Sequence, residues 1–225
     1  MNILKVLIFI ILTITTVCIS SAKNRYEVES FPENISKNCR NGVANIYDEC
    51  SDQSTLLENA LLKANLSNKS VLVVYGAESC IWCHVFDQYI KGSSRFFFYI
   101  WQDSSNEDSY WLMEEKQNPN AENEAIELNK YVSNNFVIAH IEGNYSPNGI
   151  EVIESTGFNT TKLKVLPTIL ILNNKGRFAG DMLPYNTIKG LEIRNDSGEE
   201  YRGYDRKILL NELKKLRVLA LSNKQ

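Results

Sequence analysis

Val71-Leu72-Val73-Val74-Tyr75-Gly76-Ala77-Glu78-Ser79-Cys80-Ile81-Trp82-Cys83 decides how this chain folds. Val71 to Tyr75 is a short apolar run rich in β-branched residues, the pattern of a buried strand. Gly76 to Ser79 makes a turn. From Ile81 to Ile90 the apolar residues fall at 81, 82, 85, 86, 89 and 90, which predicts a helix with one buried face. Cys80 then sits at the helix N-terminus, where unpaired backbone N–H groups and the helix dipole favour a thiolate. Cys83 follows three residues later on the same side, within reach of a disulfide with Cys80. Such a pair attacks a foreign disulfide and then releases it.

Upstream, residues 1–22 have the plan of a secretory signal peptide. Lys5 supplies the positive region, Val6 to Val17 the apolar region, and Ser20-Ser21-Ala22 a cleavage site. The alternative is a retained anchor, since Ile3 to Ile19 nearly spans a bilayer. The short apolar run and the cleavage site favour removal. The mature protein is then periplasmic or secreted, with no membrane attachment. Cys18 leaves with the leader, and Cys39, Cys50, Cys80 and Cys83 remain. An even number in an exported chain predicts disulfides, Cys80–Cys83 as the working pair and Cys39–Cys50 as a structural staple. A four-cysteine zinc site is the rival, but Cys39 and Cys50 lack the close spacing of zinc ligands. No metal and no cofactor are therefore expected.

The 225 residues are 44% hydrophobic, enough for one sizeable core, and the net charge of −3 implies no nucleic-acid partner. Residues 23–53 read as a polar, irregular extension. Thr55-Leu56-Leu57-Glu58 offers a capping box for a helix that ends near Asn65. After the cysteine helix, residues 92–124 carry the aromatic run Phe96-Phe97-Phe98-Tyr99-Ile100-Trp101, which fits neither strand nor helix decisively. It packs on the core or presents a patch to a partner. Downstream come a helix from Ala121, a buried strand at Phe136 to Ile141, and a short helix stopped by Gly157. Pro167 then leads the strand Thr168 to Leu172. One or two strands follow in 177–204, including Leu191 to Arg194 and Glu199 to Gly203 around a turn. A final helix starts at Asp205. Asn34, Asn65 and Asn159 begin Asn-x-Ser/Thr sequences open to glycosylation in a eukaryotic secretory pathway.

The strand Val71 to Tyr75, Ala77-Glu78, the Cys80-Ile81-Trp82-Cys83 motif, and Val165-Leu166-Pro167-Thr168 before a later strand together resemble the thioredoxin-like family. The resemblance covers about residues 54–220, with 92–124 and part of 177–198 as insertions. It implies an α/β, thioredoxin-like fold with a mixed central sheet flanked by helices and an insertion after the cysteine helix. It implies an exported thiol–disulfide oxidoreductase, with Cys80 as nucleophile and Cys83 as resolving thiol. Partners are then protein thiols or disulfides and a redox partner protein. It further implies a cis Pro167 against the cysteine pair, with the backbone of Leu166 pairing with a bound substrate chain. The alternative is a non-catalytic binding module with a static Cys80–Cys83 disulfide.

Trp82 either presents an aromatic surface to substrate or covers the disulfide. Glu78 and His84 are candidate modulators of the thiols. A charged His84 favours the thiolate, although a histidine on an outer helix face is more commonly solvated. His140, in a strand, is expected to be a satisfied core residue. Thioredoxin itself has a buried acid at the place held here by Val74, a tryptophan at Ser79, and Gly-Pro at Ile81-Trp82. Without that acid, Cys83 lacks the family's general base; Glu78 and Asp87 are the candidate substitutes.

Overall fold

Every residue of the strand Ser70–Gly76 is buried. A strand buried on both faces needs a continuous apolar run, and that is what its sequence supplies. The structure is a computed structural model that describes residues 25–35, 37–39, 44–101, 111–182, 195–196 and 199–222. The expected signal peptide and the 191–194 segment lie outside the described residues.

Nine strands and five helices are described. The strands are β1 (Ser30–Phe31), β2 (Ser70–Gly76), β3 (Phe96–Trp101), β4 (Trp111–Lys116), β5 (Phe136–Glu142), β6 (Thr168–Leu172), β7 (Phe178–Met182), β8 (Asn195–Asp196) and β9 (Glu199–Arg202). The helices are α1 (Gln53–Ser67), α2 (Ile81–Ile90), α3 (Glu122–Asn135), α4 (Gly149–Ser155) and α5 (Arg206–Ser222). The central sheet has the order β1-β5-β2-β6-β7. β1 and β2 run parallel to β5, while β6 is antiparallel to β2 and to β7. This is the mixed, helix-flanked α/β sheet expected above. Among the described residues no helix is long and apolar enough to cross a membrane.

Alternation along the strands divides the core in two. Leu72, Val74, Ile138, Ile169 and Ile171 face Val85, Phe86 and Ile90 of α2, Leu128 and Val132 of α3, and Leu209 and Leu213 of α5. Val71, Val73, Tyr75, Val137, Ala139 and Ile141 face α1 and α4 through Leu56, Leu57, Ala60, Val152 and Ile153. In the register, Val74 lies opposite His140 on one side and Ile169 on the other, so His140 shares the face covered by α2.

Three local expectations are revised. Helix α1 begins two residues before Thr55, because Asp52 is its N-cap and accepts from the Thr55 N–H at 2.8 Å. The 23–53 segment is not merely irregular, since it supplies β1 at the sheet edge. The aromatic run is strand β3, which pairs with β4 and with β9 to give a second sheet, β4-β3-β9-β8. The 92–124 segment, expected as an insertion, thus joins the strands of residues 195–202 in one antiparallel sheet. Phe97 is fully buried in the α2 side of the core, so this part of the run packs inward.

Candidate active site

Cys80 is the N-cap of α2. The Cys83 N–H donates to its Sγ at 3.2 Å and to its carbonyl at 3.0 Å, and the His84 N–H also reaches that carbonyl. First-turn N–H groups of a helix are short of intrahelical acceptors, and here the Cys83 N–H reaches this sulfur. A disulfide joins Cys80 to Cys83. Cys80 is half-buried and Cys83 is fully buried, which makes Cys80 the sulfur that faces outward. The Leu166–Pro167 peptide bond is cis, as the resemblance implied, and Leu166 packs against the cysteine pair.

Gly76, which ends β2, makes room for this arrangement. A Cβ there would lie 2.4 Å from the Tyr47 Oη and 2.6 Å from the Cys83 Sγ. The backbone of the strand end is therefore covered directly by a tyrosine hydroxyl and the buried sulfur.

Tyr47 comes from the N-terminal segment, whose Cys39 and Cys50 are joined by a disulfide. The Glu78 carboxylate accepts from the backbone N–H groups of Asn45, Ile46 and Tyr47 at 2.9, 3.0 and 2.9 Å. Charge-assisted bonds of this kind are the stronger class of hydrogen bond. Glu78 thus clamps the segment onto the turn that precedes Cys80. Ile46 and Tyr47 then complete an apolar cluster with Cys83, Cys80 and Leu166. Sequence reasoning placed Glu78 near the thiols but missed Tyr47, because a tyrosine in a polar loop carries no local signal of burial.

His84 is also tied down, contrary to the solvated expectation. Its Nε2 lies 2.7 Å from the Glu78 carbonyl, to which it donates, and 3.4 Å from the Glu78 carboxylate. Trp82 is half-buried with its ring edge-on to Tyr204 at 5.8 Å, and the Tyr204 hydroxyl donates to the Trp82 carbonyl at 3.2 Å.

Beneath the pair lies a buried polar group that sequence reasoning only half anticipated. Asp87, one helical turn after Cys83, is buried, with Oδ2 accepting from Lys91 Nζ at 2.8 Å. Its Oδ1 faces His140 Nε2 at 3.5 Å, and neither atom has a hydrogen-bond partner among the described residues. His140 is therefore a core residue that is satisfied in part, with its Nε2 left without a hydrogen-bond partner among the described residues. Burial holds its imidazole down at about 4; Asp87 pulls it upward, Lys91 downward, and a backbone hydrogen bond to Phe31 upward again. The Tyr47 ring stands edge-on to His140 at 5.3 Å. Burial, followed by the charges of Asp87 and Glu78, holds the Tyr47 hydroxyl well above the ordinary tyrosine value, so it stays protonated and donates to the Val74 carbonyl. His140 stands beside Val74 in the strand register. Only the strand register brings it there.

No family model matches the chain, and no curated protein matches it. Among solved structures, a disulphide isomerase from Xylella fastidiosa Temecula1 is similar at 19% identity and a TM-score of 0.39, over 60% of this chain and 76% of that one.

Proposed function

We propose that the chain is an exported thiol–disulfide oxidoreductase that exchanges disulfides with protein partners through Cys80 and Cys83. The observation that carries this reading is the asymmetry of the pair. Cys80 is half-buried at a helix N-terminus and Cys83 is fully buried behind it. An outward sulfur stabilised as thiolate is the better nucleophile, and the buried one is reached only from within.

In the reduced protein, the Cys80 thiolate attacks a partner disulfide. A Cys80–partner disulfide forms and the partner's other sulfur leaves as a thiol. The Cys83 sulfur, after losing its proton, attacks Cys80 Sγ; the Cys80–Cys83 disulfide forms and the second partner sulfur departs and takes up a proton. The reverse sequence oxidises a partner. The Leu166 backbone beside the cis proline supports a substrate chain by added-strand pairing. Trp82, between the two cysteines and half-buried, offers a contact surface. Secretion or periplasmic residence follows from the signal-like residues 1–22.

Trapping tests this reading. Cys83→Ser is expected to accumulate mixed disulfides with partner proteins, whereas Cys80→Ser is expected to lose disulfide exchange and to trap none. Equal, full activity in both variants contradicts the mechanism, and inactivity of the wild type toward every protein and small disulfide supports the static binding module.

A further inference from the structure

Cys83 has to lose a proton at a fully buried position, where Val74 of the neighbouring strand offers no acid. The structure has other polar groups there. Asp87 and Cys83 are four residues apart on α2, so their side chains are neighbours on one helix face. The Asp87 and His140 side chains are 1% and 3% exposed, and they face each other through two atoms with no hydrogen-bond partner among the described residues. Buried polar atoms in that condition are uncommon.

We infer that Asp87 and His140 form a proton-accepting pair that serves Cys83, resting on the oxidoreductase reading above. During resolution the Cys83 thiol gives its proton to the pair, directly or through one water, which is the reach general-base catalysis requires. The Cys83 electron pair then forms the bond to Cys80 Sγ, the Cys80–partner bond breaks, and the departing thiolate takes a proton from solvent. The accepted proton bridges Nε2 and Oδ1, which converts two facing acceptors into a charge-assisted hydrogen bond.

The surroundings are consistent with this use. From α2, Asp87, Lys91 and His84 act on the imidazole; from β1, the Phe31 backbone; from the N-terminal segment, the Tyr47 ring. Glu78, Glu142 and Tyr204 act on Tyr47 in turn. Lys91 holds the outer carboxylate oxygen and leaves the inner one for His140. The low value of about 4 belongs to the disulfide form, in which Cys83 bears no charge. A developing thiolate one turn away favours the protonated pair, because a nearby negative charge stabilises a positive one.

The experiment uses reduced full-length protein mixed rapidly with 5,5′-dithiobis(2-nitrobenzoate). The first release of thionitrobenzoate reports attack by Cys80, and the second reports attack by Cys83 on the mixed disulfide. His140→Gln and Asp87→Asn are expected to slow the second release relative to the first by about 100-fold near neutral pH, the lower end of what general-base assistance contributes. The deficit should close as pH rises and Cys83 ionises unaided. Folded variants with an unchanged ratio and an unchanged pH profile overturn the inference. A variant-free measurement covers loss of folding. In the wild type, the second release should run slower in heavy water on the plateau of its pH profile, and the first should not. Equal rates for the second release in light and heavy water overturn the inference. A wild type that releases no thionitrobenzoate overturns instead the oxidoreductase reading on which it rests.

Discussion

Gly76→Ala tests the packing over the strand end. The added Cβ would lie 2.4 Å from the Tyr47 Oη, 2.8 Å from its Cζ and 2.6 Å from the Cys83 Sγ. Comfortable heavy-atom separations are about 3.5–4.0 Å. Neither neighbour yields easily. Tyr47 is fully buried, with its N–H on Glu78 and its hydroxyl on the Val74 carbonyl. Cys83 is held in the helix and in the disulfide. Overpacking a filled core costs about 1–3 kcal/mol, and two fixed neighbours put this site near 3. In a chain of this size each kcal/mol lowers Tm by about 2–4 °C, so a fall of roughly 6–12 °C is expected. Thermal unfolding of the oxidised protein, followed by circular dichroism, measures it. In a double-mutant cycle with Tyr47→Ala, the double variant should be less destabilised than the sum of the singles, by about 0.5–3 kcal/mol. A Tm for Gly76→Ala within a degree or two of wild type would refute the placement of Tyr47 and Cys83 over this glycine.

Replacing Cys39 and Cys50 by serine opens a loop with a sequence separation of 11 and is expected to cost about 2–3 kcal/mol in urea unfolding; no change would mean that the bond adds nothing to the fold. Glu78→Gln removes the charged acceptor of three backbone N–H groups and should destabilise by about 1–2 kcal/mol, with faster amide exchange at Asn45, Ile46 and Tyr47 than elsewhere. Exchange at those three amides that matches wild type contradicts the clamp. The buried His140 gives stability a pH dependence of definite sign. Its folded value, about 4, lies below the ordinary 6.5, so the unfolded chain binds the extra proton between those values. This contribution is complete above about pH 6.5 and is lost as pH falls toward about 4, by up to about 3 kcal/mol. Urea midpoints at pH 7.5 and 4.5 should therefore differ less in His140→Gln than in wild type, and equal differences would show that His140 is not buried neutral.

Much of the central sheet was legible because its signals are local. The β-branched run at 71–75, the cysteine spacing and the Pro167-led strand each identify themselves within a few residues. The second sheet was not, because β3 pairs with β9, about a hundred residues downstream, as well as with the nearby β4, and an aromatic run alone carries no period. The N-terminal segment looked irregular because β1 is two residues long and Tyr47 is buried by long-range contacts with Glu78 and Cys83. Asp87 was named with Glu78 as a candidate substitute base, but its place one turn below Cys83 is a finding of the structure. His140 was not, since its meeting with Asp87 depends on the parallel register that sets it beside Val74.

The proposed exchange depends on the inequality of the two sulfurs. The direct measurement is the rate of iodoacetamide alkylation of each cysteine in the reduced protein as a function of pH, with the modified residue identified by peptide mass. Cys80 is predicted to react quickly, with a midpoint well below the ordinary thiol value of about 8.5, while Cys83 stays protected in the folded state. Equal, slow alkylation of both cysteines, with midpoints at or above about 8.5, would contradict the central claim.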